Sequence, residues 1–538
     1  MLGKERKSAM SLTVFIGEIK FRNEVDPVKL NNDDIVVFVG PNGAGKSQTI
    51  KDILGLASDE NFTPKVVERV GFCMRQSTGK DFRDATEQEV KDYVSQKCEE
   101  KVTECGETVH RCFDFSISDT DLNAWRFDKS FENLCGFFCH RLSTKDRLEI
   151  FDPSSKIGAS YLKVLVADNN HLDAVSYGFD SAFQEKLVFV NDGDKKSLRC
   201  VSRYFDGPES DILSNSTCLE EEGDGKKSYA AAILPVVLDS PGMFYFDEPE
   251  AFLHPPQARA LGKFIALLTG DRGQQVFVAT HSPDFLRGLV ECGKQRVKVI
   301  RLTRSSQTTN TVSVLEGPFA SAWHDSFLMS TNMMESLFHP MTVMCESDSD
   351  CLLYGRALTA VLSDEDRPME AFFVGCGGKR KQAKLVSALK ALNLPFRLIF
   401  DFDLLLTELV LKRLCASVGV EWSIIEPDYK TFQNADLLML DDAKRRRFKK
   451  FGLCAASEEG RAAICKMLPV LQAHSVFIVP CGELESFYQH VDGHGPGFVD
   501  KVIDNIKLGM EREVQRVLGK DDAEVDKPLL DFVRTWKV

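Results

Sequence analysis

Short, wholly apolar runs punctuate this chain, and each ends abruptly in glycine, acid or histidine before a stretch of helical period begins. Ile35-Val36-Val37-Phe38-Val39 runs into a glycine-rich segment, Met243-Phe244-Tyr245-Phe246 into Asp247-Glu248-Pro249-Glu250, and Val276-Phe277-Val278-Ala279 into Thr280-His281-Ser282-Pro283. Runs this short and continuous predict strands buried on both faces, as in a parallel sheet. The pattern restarts after residue 340. Met341–Cys345 precedes Glu346-Ser347-Asp348-Ser349-Asp350, Ala371–Gly375 precedes Cys376-Gly377-Gly378-Lys379, and Phe396–Phe400 precedes Asp401-Phe402-Asp403. Helical stretches over Cys351–Arg356 and Lys384–Leu392 separate these runs. Strand and helix in alternation predict an α/β fold with ligands gathered at the carboxyl ends of the strands.

Between the first two runs the pattern is mixed. Asp81–Lys101 is polar and helical in tone, whereas Phe113–Ser118 and Lys163–Ala167 read as strands. The organisation expected is a head over residues 1–325 with an insertion at about 80–210, a connecting helix at 326–340 (the apolar pattern spans Ala320–Leu337), a second α/β domain over 341–495 and a helical tail over 496–538.

The segment Gly40-Pro41-Asn42-Gly43-Ala44-Gly45-Lys46-Ser47, followed by Gln48, has the pattern GxxxxGK[ST] between a strand and a helix. Glycines there let backbone N–H groups converge on phosphate, and the helix N-terminus favours the same anion. Lys46 is placed to reach the β- and γ-phosphates, and the Ser47 hydroxyl to bind Mg²⁺. Asp247, at a strand end, suits the second Mg²⁺ contact. Glu248 is the candidate general base for the attacking water, and His281 the sensor of the γ-phosphate.

The three elements GPNGAGKS, FDEPEAFLHP and ATHS together resemble ATP-binding-cassette heads of the SMC/Rad50 and OLD type. The resemblance implies ATP held between two heads, hence a homo-oligomer. The signature sequence of that group is absent, and Glu222-Gly223-Asp224-Gly225-Lys226-Lys227-Ser228 stands in its place. Gly223, Gly225 and Ser228 are expected to offer backbone N–H groups and a hydroxyl to phosphate at a helix start.

In the second half, Glu346 falls at a predicted strand end, Asp350 lies one helical turn further on, and Asp401 and Asp403 share a face if their strand continues between them; without a cation these carboxylates would repel one another. Mg²⁺ or Mn²⁺ would resolve that and serve phosphoryl chemistry. A Glu after the first strand and Asp-x-Asp after a later one resemble a TOPRIM domain. A head followed by TOPRIM resembles OLD-family proteins and Gabija ATPase–nuclease subunits. This resemblance implies a further acid from Val479–Phe487, with Glu483 first and Glu485 second. It also implies Gly after Glu346, where this chain has Ser347. Gly377-Gly378-Lys379-Arg380 would then serve the scissile phosphate.

Composition narrows the function classes. With 43% hydrophobic and 27% charged residues, the 538-residue chain is an ordinary globular protein with room for two or three domains. No apolar stretch is long enough for a membrane span and no secretory signal opens the chain, so a cytoplasmic location is expected. The 16 cysteines lack a disulfide framework. Cys135-x₃-Cys139-His140 matches no common zinc spacing and reads as buried thiols. A net charge of −13 confines any nucleic-acid contact to local basic clusters, Lys379-Arg380-Lys381 and Lys444–Lys450. The plain reading of the latter is a solvated helix face.

Two functions follow. One is an ATPase that controls nucleic-acid cleavage by its own TOPRIM-like domain in bacterial anti-phage defence. The other resembles PtuA of Septu and retron systems, a regulatory ATPase scaffold acting with a partner nuclease such as an HNH protein, or with a reverse transcriptase–RNA complex.

Overall fold

The computed structural model describes residues 11–536 apart from 60, 79–80, 99, 105–106, 113–114, 126–132, 150–161, 163–164, 167–168, 193–194, 239–241, 305–308, 316–332, 365–370, 378–381, 392–393, 489–490 and 507–526. It divides into two compact units, Met1–Glu316 and Gly317–Val538.

The first unit is built on a six-stranded sheet formed by β1 (Ile35–Val39), β2 (Cys139–Leu142), β3 (Met243–Asp247), β4 (Val276–Ala279), β5 (Val297–Arg304) and β6 (Asn310–Leu315). The strand order is β6-β5-β1-β4-β3-β2. All neighbours are parallel except the β5–β6 hairpin. β4 therefore lies between the glycine-rich strand and the acid-bearing one. The register sets Asp247 opposite Ala279 and Ala279 opposite Phe38, so the three chemically marked turns leave the sheet at one edge.

Every residue of β1 and β4 is buried, and Tyr245 stacks on Phe277 at 5.0 Å across β3 and β4. Apolar runs without alternation are what burial on both faces demands. The helices covering this sheet include α1 (Lys46–Ser58), α2 (Thr144–Glu149), α3 (Asp224–Val237), α4 (Pro255–Arg272) and α5 (Pro283–Gly293). Antiparallel strands Ser11–Phe21 and Val67–Thr78 form a separate sheet with Val28–Lys29 and Asp81–Asp84.

The insertion differs from its sequence pattern. Asp81–Lys101 breaks into a strand, a helix over Glu87–Lys97 and a second strand that starts at Glu100. Thr86 and Glu89 form a reciprocal capping box that starts this helix after the strand. Phe115–Ser118 is a strand, but Leu165 and Val166 are helical where a strand was expected. Four or five apolar residues do not distinguish a strand from a buried helical turn.

The second unit holds a four-stranded parallel sheet of β7 (Met341–Cys345), β8 (Ala371–Gly375), β9 (Phe396–Phe400) and β10 (Val476–Ile478), in the order β8-β7-β9-β10. Its helices include α6 (Asp348–Asp364), α7 (Gln382–Ala391), α8 (Glu408–Val418), α9 (Trp422–Phe432), α10 (Asp442–Phe451), α11 (Glu458–Ala473), α12 (Pro496–Ile506) and α13 (Lys527–Arg534). The last of these closes the core, where Trp536 is fully buried against Tyr354, Phe477 and Phe532. Of the helix expected over 326–340, residues 326–332 lie outside the described residues, and Met333–Phe338 is 3₁₀.

Candidate functional site

The turn after β1 adopts the backbone its glycines permit. Gly40, Gly43 and Gly45 have φ of 140°, 72° and 94°, a region that side chains with a Cβ rarely enter. A Cβ on Gly40 would lie 2.0 Å from the Leu302 carbonyl. Gly45 caps α1 in the left-handed conformation, and Asn310 donates its amide to the Ala44 carbonyl at 3.1 Å. Asn42 and Gly43 are exposed, while Pro41 and Ala44 are buried.

Lys46 is buried and donates to the carbonyls of Gly40 (2.6 Å) and Pro41 (2.9 Å). Burial brings its pKa down to about 8, against the charges of Glu248, Glu250 and Asp247. A desolvated ammonium lined up with acids gains most from a phosphate partner. The Ser47 hydroxyl donates to Asp247 Oδ1 at 2.7 Å, so the two oxygens predicted to hold Mg²⁺ already meet. An oxygen donor pair beside a phosphate-binding turn fits a hard cation. Gln48 bonds Asp52 (2.7 Å), and Asp52 also accepts from the backbone N–H groups of Lys65, Val66 and Val67. That buried aspartate fastens the P-loop helix to the antiparallel sheet. A lone Asp in a helix carries no signal in sequence.

Glu248 and His281 meet across the sheet edge, with Nε2 3.0 Å from Oε1. Burial and the Lys46 charge lower the His281 pKa, and the acids only partly offset them. The imidazole is therefore neutral at pH 7. Glu250 is half-buried beside them, accepting from Thr280 Oγ1 (2.7 Å) and the His281 N–H (2.8 Å). Burial raises its pKa. The backbone of Glu248 is left-handed, with φ of 48°.

The signature substitute is arranged differently from expectation. Helix α3 begins at Asp224 with Gly223 as N-cap, so Ser228 sits more than one turn inside. It is fully buried, and its hydroxyl accepts from Arg147 Nε at 2.9 Å. Gly223 is exposed at the helix mouth, and a Cβ on Gly225 would lie 2.7 Å from the Phe252 carbonyl. Cys139 is a free thiol buried in β2 and hydrogen-bonded to the free Cys135 thiol, while the His140 ring stacks on Phe244.

In the second unit, Glu346, Asp401 and Asp403 offer oxygens within 4.8 Å of one another. Strand β9 stops at Phe400, and a 3₁₀ turn over Phe402–Leu406 brings Asp403 round beside Asp401, in place of the shared strand face expected. Glu346 also accepts from the Asp401 N–H at 3.2 Å. Burial, then Glu346, Asp350, Asp403 and Glu483, hold the Asp401 carboxyl well above its usual range. A donor set of crowded carboxylates fits a hard divalent cation.

Asp350 is outside this trio. It accepts from the Ser347 N–H (2.9 Å) while Ser347 Oγ accepts from the Asp350 N–H (3.2 Å), a capping box that starts α6. Ser347, where the resemblance implied glycine, is thus the helix cap.

Glu483 is buried and paired with Lys449 at 3.1 Å. It also groups with Glu485 and His494, whose Nδ1 lies 2.8 Å from Glu485 Oε1. Lys449 was missed individually in the sequence, hidden within a basic run. Burial opposes its charge, but the bond to Glu483 and the charges of Glu483, Asp401 and Asp403 outweigh that and raise its pKa. Gly482 (φ 126°) makes the approach possible, since a Cβ there would lie 2.2 Å from the Lys449 carbonyl. Helix α10 exposes Arg445, Arg446, Arg447 and Lys450 and buries Phe448, which stacks on Phe402 at 5.9 Å. Gly378, Lys379, Arg380 and Lys381 lie outside the described residues.

Residues 156–287 match the family described as "AAA domain, putative AbiEii toxin, Type IV TA system". That span holds Asp247, Glu248 and His281 but not the P-loop. No curated protein matches the chain. Among solved structures, an Smc head bound to the C-terminal winged-helix domain of ScpA is 13% identical, covering 56% of this chain and 98% of its own, with a TM-score of 0.31. The SMC head domain from Thermotoga maritima is 12% identical, covering 58% and 100%, with a TM-score of 0.29. An ATP-binding cassette of an ABC transporter in its ADP conformation is 13% identical, covering 55% and 87%, with a TM-score of 0.24. No helix among the described residues is long and apolar enough to cross a membrane. Strand order, P-loop backbone and the convergence of Lys46, Asp247 and His281, rather than these distant likenesses, give the first unit the architecture of a P-loop nucleotide-binding domain.

Proposed function

We propose that the first unit binds ATP with Mg²⁺ and hydrolyses it, with Glu248 as general base. The observation that carries this is the 3.0 Å pair of Glu248 and His281 at the strand edge that also bears Lys46 and the Ser47–Asp247 contact. Ser47 and Asp247 would hold Mg²⁺, which supplies charge neutralisation on the phosphates. Lys46 neutralises the β- and γ-phosphates. Neutral His281 donates or accepts at the γ-phosphate and orients Glu248, whose carboxylate takes the proton of the attacking water. Gly223 and Gly225, at the mouth of α3, are the surface for a second head, as resemblance implies. Phosphate release should be measured with Glu248→Gln against the unaltered chain. Normal turnover in the variant would remove the general-base assignment.

For the second unit we read a divalent-metal site of Glu346, Asp401, Asp403 and Glu483 that cuts nucleic acid under nucleotide control, in bacterial anti-phage defence. Support comes from the carboxylate cluster and from the basic helix α10, whose buried Phe448 packs on the 3₁₀ turn that carries Asp403. The toxin–antitoxin wording of the matching family agrees with a defensive role. Two observations favour the second reading, a regulatory scaffold for a partner nuclease: Asp350 is used as a helix cap, and Lys449 already neutralises Glu483. Plasmid and single-stranded substrates with Mg²⁺ or Mn²⁺ decide between them. Cleavage lost with Asp401→Ala supports the nuclease, and a co-purifying nuclease with no intrinsic cleavage supports the scaffold.

A further inference from the structure

One charged side chain of the first unit lies outside every motif and is nevertheless completely buried. Arg147, on the short helix α2, has 0% of its surface exposed. Its Nε donates to Ser228 Oγ (2.9 Å), Nη1 to the carbonyls of Leu142 and Asp247 (both 3.2 Å), and Nη2 to the carbonyl of Glu248 (2.7 Å) and to Thr144 Oγ1 (3.4 Å). A guanidinium has five N–H donors, and here each has an acceptor. The acceptors belong to the end of β2, the start of α2, helix α3 and the two residues that close β3. Burial brings the Arg147 pKa down to about 10 against the charges of Glu250, Asp247, Asp146 and Glu248. It is still a cation at neutral pH.

The peptide it grips is unusual. Glu248 is a non-glycine residue at φ 48°, a conformation that persists only where neighbours over-determine it. Its N–H donates to the Ala279 carbonyl (2.8 Å), its carbonyl accepts from Arg147, and its carboxylate meets His281. Arg147 therefore fixes the carbonyl end of the residue whose other end faces the sensor histidine.

We propose that Arg147 is a positioning residue for Glu248, holding the Asp247–Glu248 backbone in its left-handed turn and tying that turn through Ser228 to helix α3. This rests on the reading of Glu248 as general base. A displacement of α3 at its exposed mouth is passed by the guanidinium to the base. A lysine in this place has one nitrogen and cannot span acceptors on four elements.

The test uses the full chain with Arg147→Lys and Ser228→Ala, alone and combined with Glu248→Gln. Nucleotide affinity is read by equilibrium binding of a fluorescent ATP analogue, and the chemical step by single-turnover hydrolysis of ATP. Arg147→Lys should slow the chemical step ~10–100-fold with affinity changed less than ~3-fold, since small misplacement of a catalytic group costs rate rather than binding. Ser228→Ala should slow it by a smaller factor. In the Glu248→Gln background neither substitution should slow it further, because both act through Glu248. Multiplicative losses in that background, or full rates in the single variants, overturn the proposal. If Arg147→Lys does not fold, Ser228→Ala decides by the same two criteria. Hydrolysis at the unaltered rate in Glu248→Gln alone would instead overturn the general-base reading, and this proposal with it.

Discussion

The Ser47 hydroxyl donates to the Asp247 carboxylate at 2.7 Å across 200 residues of chain. Two oxygens held this way before a cation arrives need little rearrangement to bind it. Replacing either leaves the other without its partner. Ser47→Ala should therefore weaken Mg²⁺-dependent ATP binding ~10-fold or more while leaving metal-free nucleotide binding little changed. Isothermal titration with and without Mg²⁺ checks this.

Lys46 gives a pH dependence with a definite sign. Its pKa in the free protein is about 8, and a bound triphosphate raises it, because the phosphates stabilise the ammonium. Affinity for ATP should be level below about pH 8. Above that it should fall by up to ~10-fold per pH unit until the pKa of the complex is reached. Binding titrations between pH 6.5 and 9.5 read this directly. Lys46→Ala should lose both the affinity and the slope.

His281 acts in the opposite range. Burial and the Lys46 charge lower its pKa, so the neutral imidazole is favoured down to a more acid pH than for an ordinary histidine. The rate of hydrolysis should fall as pH drops through that lowered pKa, and His281→Ala should slow turnover ~10²-fold and flatten the acid limb. A pH–rate profile of kcat in both proteins makes the comparison.

The crowding at Asp401 predicts a metal effect on stability. Its folded pKa is raised above the unfolded value, so its ionised form destabilises the fold. Stability should increase as pH falls through that raised pKa towards the unfolded value, and be level above it. Asp401→Asn should raise the Tm in chelator by a few degrees and abolish the further rise produced by Mn²⁺ in the unaltered chain. Thermal denaturation with EDTA or Mn²⁺ tests both halves.

Gly482 permits the approach that pairs Glu483 with Lys449. Gly482→Ala forces a Cβ into the Lys449 carbonyl at φ 126°, at a cost of ~2 kcal/mol or more. The expected result is a lower Tm and loss of the Glu483–Lys449 pair, seen as a changed lysine resonance in NMR.

The P-loop, the acid pair after β3, the histidine after β4 and six strands (β1, β3, β4, β7, β8 and β9) are legible in the linear order of residues, whereas β2, β5, β6 and β10 are not picked out there. Each rests on a local cause: a glycine's freedom of φ, a wholly apolar run, a helix start. Interactions joined through space leave no such trace. Arg147 reads as one more basic residue in a mixed segment, Asp52 as an ordinary helical acid, and Lys449 as part of a solvated face. Asp350 and Ser347 read as ligand and misfit, and the fold pairs them as a cap.

Local chemistry thus specified an α/β chain with a phosphate-binding turn and acids at strand ends, because backbone conformation and burial are encoded a few residues at a time. Which acids converge and which cation neutralises them were decided by folding. So was the buried guanidinium that donates to the Asp247 and Glu248 carbonyls, because those contacts depend on strand order and on helices brought together from distant parts of the chain.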